Sequence, residues 1–195
     1  LAAPGAEAIA QRQRDAQFHS VFIVQRGLPV EKLEDLRGLT FTFGSESSTS
    51  GHLMPRYFLV QAGIDPEKDF QGGSNYSGSH DTTWKLVESG AFQAGALNEA
   101  VWEKAIREDR VNLSKVRLFY TTAPYYDYSW TIRGDVDQTL GAGAKEGIKE
   151  ALLSMQNDPL GKEILELYAA ERFIETENEN YNAIEEVARE LGLVE

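Results

Sequence analysis

Residues 38–51 read GLTFTFGSESSTSG, and they constrain the fold more than any other stretch of the chain. Leu39-Thr40-Phe41-Thr42-Phe43 alternates apolar and hydroxyl side chains, the period-two pattern of a strand, and stops at Gly44. Ser45, Ser47, Ser48, Thr49 and Ser50 follow, and then Leu53, Met54, Tyr57 and Phe58 recur at helical spacing. The order is strand, hydroxyl-rich turn, helix start. Such a turn leaves the first backbone N–H groups of the helix unpaired and sets the positive end of the helix dipole beside hydroxyl donors. Both features suit an oxyanion. The segment has neither the GxxxxGK[ST] lysine of a P-loop nor the GxGxxG of a dinucleotide fold, so it suggests a small tetrahedral anion rather than a nucleotide. A Ser/Thr-rich helix cap is the alternative reading of the same residues. Pro55 lies past the first turn if Ser50 is the N-cap, which predicts a distorted helix start.

Strands and helices alternate around this unit. Strands are predicted at 18–24, 39–43, 91–97, 116–120 and 130–132 from β-branched, aromatic or small-residue runs. Helices are predicted at 31–36, from the serine turn to Gly63, from Ser77-Gly78-Ser79-His80-Asp81 to Gly90, and over 98–107. Three more follow at 136–156, 160–170 and 181–192. Residues 1–17 read as a helix or a tail, and the acidic stretch 175–179 as a solvated loop. The alternation from 18 to 132 is that of an α/β unit with a mainly parallel sheet.

Composition removes several function classes. The 195 residues carry a net charge of −12, which argues against nucleic acid and against an anionic membrane surface as partners. That charge also repels an anionic ligand, so a local cage of donors must overcome a field that salt screens. There are no cysteines, hence no disulfide, no thiolate metal site and no thiol nucleophile. No run approaches the roughly 18 apolar residues of a membrane span. Neither a GxSxG elbow nor an HExxH pair is present to support an enzyme built on Ser79, His80, Asp81 or Asp127.

The chain resembles the periplasmic phosphonate/phosphite/phosphate-type substrate-binding proteins of ABC transporters. The resemblance is carried by DLRGLTFTFGSESSTSGHLMPRYFL at 35–59, AGIDPEKDF at 62–70, SGSHDTTWKLVESGAFQAGALNEAVWE at 77–103 and VRLFYTTAPYYDYSWTIRGDVD at 116–137. It implies an α/β, type II periplasmic-binding-protein-like fold of two lobes that closes on its ligand like a flytrap. It also implies a segment ahead of the position matching Leu1, so the second lobe is expected complete and the first partial. The implied ranges are 1–26 as a remnant of the first lobe with a crossover strand, 27–119 as the second lobe, and 120–195 as the return crossover and C-terminal helices. The implied function is binding a small phosphorus oxyanion for delivery to a membrane permease, by a monomer outside the cytoplasmic membrane, periplasmic or lipid-anchored. No cofactor and no metal are expected. A sensory domain of the same fold, or a binder of another organic anion such as a sulfonate, is the alternative.

The resemblance also assigns residues. Ser48, Thr49 and Ser50 match the oxyanion-binding turn. His80, at a second helix start, matches a histidine that reaches the ligand; an ordinary N-terminal histidine is the other reading. Asn98 matches a polar position facing the ligand's substituent, and also reads as a plain N-cap. Asp127 matches a position where a carboxylate accepts from a protonated oxygen or an amine of the ligand, or is an exposed loop acid. Tyr126, with Tyr125 and Trp130, would wall an apolar face of the ligand or simply pack.

Overall fold

A computed structural model describes residues 5–192. Its strands are β1 (Glu7–Arg12), β2 (Ser20–Gln25), β3 (Phe41–Thr42), β4 (Ala94–Asn98), β5 (Val116–Thr121), β6 (Trp130–Ile132) and β7 (Phe173–Glu175). Its helices are α1 (Met54–Gln61), α2 (Pro66–Asp69), α3 (His80–Ser89), α4 (Glu99–Arg107), α5 (Val136–Leu140), α6 (Ala144–Ser154), α7 (Pro159–Leu167) and α8 (Asn182–Glu190). They fall into two compact units: His19–Ala123, and the residues up to Phe18 together with Pro124 onward. Strand β2 therefore lies within the His19–Ala123 unit, whereas the range 1–26 expected from sequence set it apart.

In the His19–Ala123 unit the sheet order is β3-β4-β2-β5. The expectation of a mainly parallel sheet is corrected here. Strand β3 pairs parallel with β4, but β2 runs antiparallel to both β4 and β5. The strand–helix alternation does orient β3, β4 and β5 alike, as crossover connections require. Strand β2 precedes those crossovers and inserts between β4 and β5 in the opposite sense. It is buried on both faces: Phe22 and Val24 join one apolar cluster with Phe41, Phe43 and Leu59, while Val21 and Ile23 join another with Trp84, Val87 and Trp102. That double burial is why SVFIV reads as a continuous apolar run rather than an alternating one.

The other unit holds the antiparallel sheet β6-β1-β7 over a small core of Ile9, Ala10, Leu165 and Phe173. The helix-or-tail reading of 1–17 is corrected within the described residues: Glu7–Arg12 is the central strand of this sheet, followed by a short 3-10 turn at Gln13–Gln17. Residues 1–4 of that reading lie outside the described residues. The solvated loop expected at 175–179 is also corrected in part. Glu175 ends β7, and the Asn178 amide both accepts from Ala8 N–H at 2.8 Å and donates to the Ala6 carbonyl at 3.1 Å. The helix expected over 136–156 is broken after Leu140, where Gly141 and Gly143 take φ values of +110° and +85°. Among the described residues no helix is long and apolar enough to cross a membrane.

Candidate functional site

Three helix starts in the His19–Ala123 unit gather at the C-terminal ends of β3 and β4. The first follows β3. Ser48 caps it, its hydroxyl accepting from Gly51 N–H at 3.0 Å. The backbone then opens into a wide turn, with Leu53 N–H bonded to the Ser48 carbonyl at 3.0 Å and Met54 N–H bonded to the Thr49 carbonyl. Pro55 explains the distortion. It has no N–H to offer the Gly51 carbonyl four residues back, so that carbonyl accepts from Gly44 N–H instead, at 2.7 Å. The Ser50 carbonyl is taken by the buried Ser20 hydroxyl at 2.8 Å. The backbone N–H groups of Thr49 and Ser50 donate to no acceptor among the described residues.

The second start is that of α3, where Ser79 caps by accepting from Thr82 N–H at 3.2 Å. The third is that of α4, where the Asn98 side-chain oxygen accepts from Val101 N–H at 3.1 Å. Side chains knit the three together. The amide nitrogen of Asn98 lies 3.5 Å from Ser50 Oγ, and Asn98 N–H donates to His80 Nδ1 at 3.3 Å. The His80 ring lies against two glycines: a Cβ built on Gly51 would stand 2.9 Å from His80 Cε1, and one on Gly44 would stand 3.4 Å from Nδ1. Because Nδ1 accepts, the neutral ring carries its proton on Nε2, leaving that N–H free to donate. Burial lowers the His80 pKa, with Asp81 opposing, so the ring is neutral at pH 7.

The structure thus brings Ser48, Thr49, Ser50, His80 and Asn98 into one cluster. Asp127 and Tyr126 belong to the other unit. Asp127 is not an exposed loop acid: it is 8% exposed, and its Oδ2 is buried with no hydrogen-bond partner among the described residues. Desolvation, reinforced by the neighbouring Asp15, pushes its carboxyl up to about 7, while Arg12 pulls the other way. Asp15 is itself buried and held by a bidentate Arg12 at 2.6 and 2.7 Å, and its carbonyl accepts from Asp127 N–H at 3.0 Å. Tyr126 is half-buried, its ring 6.0 Å from that of Tyr181. Tyr125 is buried beside Phe18, and Trp130 packs edge-on against Phe173 and Tyr168. Among the described residues no group of three or more His, Cys, Asp or Glu is placed to hold a metal ion.

A family model described as ABC transporter, phosphonate, periplasmic substrate-binding protein matches residues 2–181. The chain belongs to this family. Over 202 aligned residues, which take in 100% of this chain and 68% of the relative, it is 42% identical to a protein named probable ABC transporter phosphite binding protein PhnD1, from Prochlorococcus marinus (strain MIT 9301). The solved structure of PhnD1 from that organism, in complex with methylphosphonate, matches with a TM-score of 0.86 over 98% of this chain and 73% of that one. A binding protein component of a Pseudomonas aeruginosa ABC phosphonate transporter matches with a TM-score of 0.73 at 18% identity, over 94% of this chain and 61% of that one, and shows the fold alone. The fold is the type II periplasmic-binding-protein α/β architecture expected from sequence, and the family is one of transport proteins rather than enzymes.

Sequence reasoning missed the residues that hold the serine turn in shape and those that surround Asp127. Gly44 and Gly51 bracket the serines, and their spacing was a readable sign of close backbone approach. Ser20, His52 and the Arg12–Asp15 pair gave no local signal, because each acts across many residues of sequence or from inside the core.

Proposed function

We propose that this chain binds a small phosphorus oxyanion — a phosphonate, phosphite or phosphate — and hands it to the permease of an ABC transporter. The observation that carries the reading is the gathering of three helix starts, with the Thr49 and Ser50 N–H groups left without acceptors among the described residues. The likeness to a methylphosphonate-bound protein at 42% identity supports the ligand class. In the proposed site the Ser48, Thr49 and Ser50 hydroxyls, the Thr49 and Ser50 N–H groups and the His80 Nε2–H donate to phosphorus-bound oxygens, and the Asn98 amide faces the substituent. Neutral donors fix the geometry of the anion without a mobile charge. The proposed role of Asp127 is to accept from a protonated ligand oxygen or an amine through its free Oδ2, and that of Tyr126 is to face an apolar part of the ligand. The protein acts as a monomer outside the cytoplasmic membrane, periplasmic or lipid-anchored, with no nucleic-acid partner and no cofactor.

Calorimetry with phosphite, methylphosphonate, aminoethylphosphonate, phosphate and sulfate tests this. Binding of at least one phosphorus acid in preference to sulfate is expected. Replacing Thr49→Ala and Ser50→Ala together should cost at least about 10–100-fold in affinity, the worth of one hydrogen bond to a charged group. Absence of heat with all five anions would refute the ligand class. A double variant that binds normally would remove the site.

A further inference from the structure

We propose that His52 is a positioning residue that ties together the two backbone segments of the anion cradle, Glu46–Ser50 and Tyr76–His80; this rests on the binding function proposed above. His52 is 4% exposed and lies just after the serine turn. Its Nδ1 is 2.7 Å from the Glu46 carbonyl, and its Nε2 is 3.2 Å from the Tyr76 hydroxyl. A carbonyl only accepts, so Nδ1 carries the proton; Nε2 then offers a lone pair and Tyr76 O–H donates to it. One neutral tautomer satisfies both bonds. It is the opposite tautomer to that of His80, whose Nδ1 accepts from Asn98 N–H.

The ring also sits edge-on to Phe43 and Tyr76, at centroid distances of 4.9 and 4.8 Å. Phe43 is where the two segments already meet: its N–H donates to the Asn75 carbonyl at 2.8 Å, and its carbonyl accepts from Ser77 N–H at 3.0 Å. The Gly44 carbonyl also accepts from Gly78 N–H at 3.2 Å, and His52 adds a further tie at the exposed Glu46 that leads into the Ser48 cap. Arg56 on α1, Glu46, Glu67 and Tyr76 are the titratable groups around it. Burial lowers the His52 pKa, with the bond to the Glu46 carbonyl opposing and Arg56 adding to it, so the ring is neutral at pH 7; Arg56 is itself paired with Glu67 at 2.6 Å. The ring therefore presents one donor and one acceptor to fixed partners, and none of its polar atoms is left for a ligand. A side chain that merely filled the core would need neither bond.

The test uses three variants. His52→Asn keeps an N–H near the Nδ1 position, His52→Phe keeps the ring packing and loses both hydrogen bonds, and Tyr76→Phe removes only the hydroxyl. Nitrogen-15 NMR of the ligand-free chain should find His52 protonated on Nδ1 and His80 on Nε2. His52→Phe should speed amide exchange at Ser48, Gly51 and Leu53, whose N–H groups are bonded within the turn, and weaken methylphosphonate or phosphite binding about 10–100-fold, the usual cost of losing a residue that orients a ligand contact. His52→Asn and Tyr76→Phe should both stay within about tenfold of wild type and be milder than His52→Phe, since each loses the Tyr76 hydrogen bond and keeps a donor to the Glu46 carbonyl. The proposal is overturned by a proton on His52 Nε2, by a His52→Phe chain that exchanges and binds like wild type, or by a folded His52→Asn chain no better than His52→Phe. If the wild-type chain binds neither probe, the binding function falls, and the tautomer and exchange measurements still decide the tie.

Discussion

Replacing Gly51→Ala should damage both the stability of the chain and its ligand affinity. An ideal Cβ there meets His80 Cε1 at 2.9 Å, Ser48 Oγ at 3.0 Å and Gly44 Cα at 3.1 Å. Carbon atoms in good contact sit about 3.5–4.0 Å apart, so every neighbour must give. Gly44 cannot easily retreat, because its N–H holds the Gly51 carbonyl at 2.7 Å. The His80 ring is pinned by Asn98 N–H, and Ser48 Oγ by Gly51 N–H. Overpacking of this kind costs about 1–3 kcal/mol. For a chain of this length each kcal/mol is about 2–4 °C, giving a Tm lower by roughly 2–12 °C. Affinity should fall about tenfold or more, because the relief of the clash turns the His80 N–H away from its aim and about 1.4 kcal/mol suffices for that factor. Differential scanning calorimetry and ligand titration read the two effects. Gly147→Ala is the control: it lies in helix α6 with nothing within 4 Å of an added Cβ, and should gain about 0.5–1 kcal/mol. A Gly51→Ala protein that melts and binds like wild type would mean that the ring and the two glycines are not in contact, and the cradle as described would not exist.

Two further substitutions separate capping from binding and burial from charge. Asn98→Asp keeps a side-chain oxygen for Val101 N–H, so Tm should stay within a few degrees, whereas a carboxylate beside the anion should abolish measurable binding; Asn98→Ala should instead lose about 1 kcal/mol of cap stability. Asp127, pushed up to about 7 by burial, holds its proton in the folded chain at pH values where the unfolded chain has released it. The folded state then binds more protons between about pH 4 and about pH 7, and stability falls as pH rises through that window, by an amount on the order of a few kcal/mol. Asp127→Asn should flatten that part of the Tm–pH curve and raise Tm at pH 8. A slope unchanged in the variant would place its origin elsewhere.

The parts of the fold that were legible in the sequence are those set by short-range pattern. The strand at Trp130–Ile132, the helix start within Ser77–Asp81, the cap at Asn98 and the stops at Gly63 and Gly90 all depend on residues close to one another in sequence. Strand β1 was not legible, because EAIAQR has the composition of a helix and becomes a strand only through pairing with β6 and β7, each more than 110 positions away. The antiparallel placement of β2 was hidden for a similar reason: apolar runs show burial on both faces but not direction. At the site, the hydroxyl turn and the distortion before Pro55 could be read directly. The burial of Asp127 could not, since a loop reading YYDY gives no sign that Asp15 and Arg12 lie beneath it.

The sign of the salt dependence follows from the kind of donors used. None of the residues proposed for the cradle is a lysine or arginine, so binding would release no paired carboxylate and shed no counterion from a basic patch. The remaining long-range term is the net charge of −12, which opposes an anion approaching through solvent. Raising ionic strength from about 0.01 M to about 0.15 M shortens the Debye length from about 30 Å to about 8 Å and screens that repulsion, while the short N–H and O–H contacts inside the cradle are hardly affected. Affinity for methylphosphonate or phosphite should therefore hold steady or tighten slightly as salt rises, with faster association. A site built on lysine or arginine would weaken over the same range. Sodium gluconate should be the titrant, so that the added anion is too large to compete for the cradle. A Kd that rises severalfold with gluconate would show that a cationic side chain, and not a cage of neutral donors, supplies the attraction.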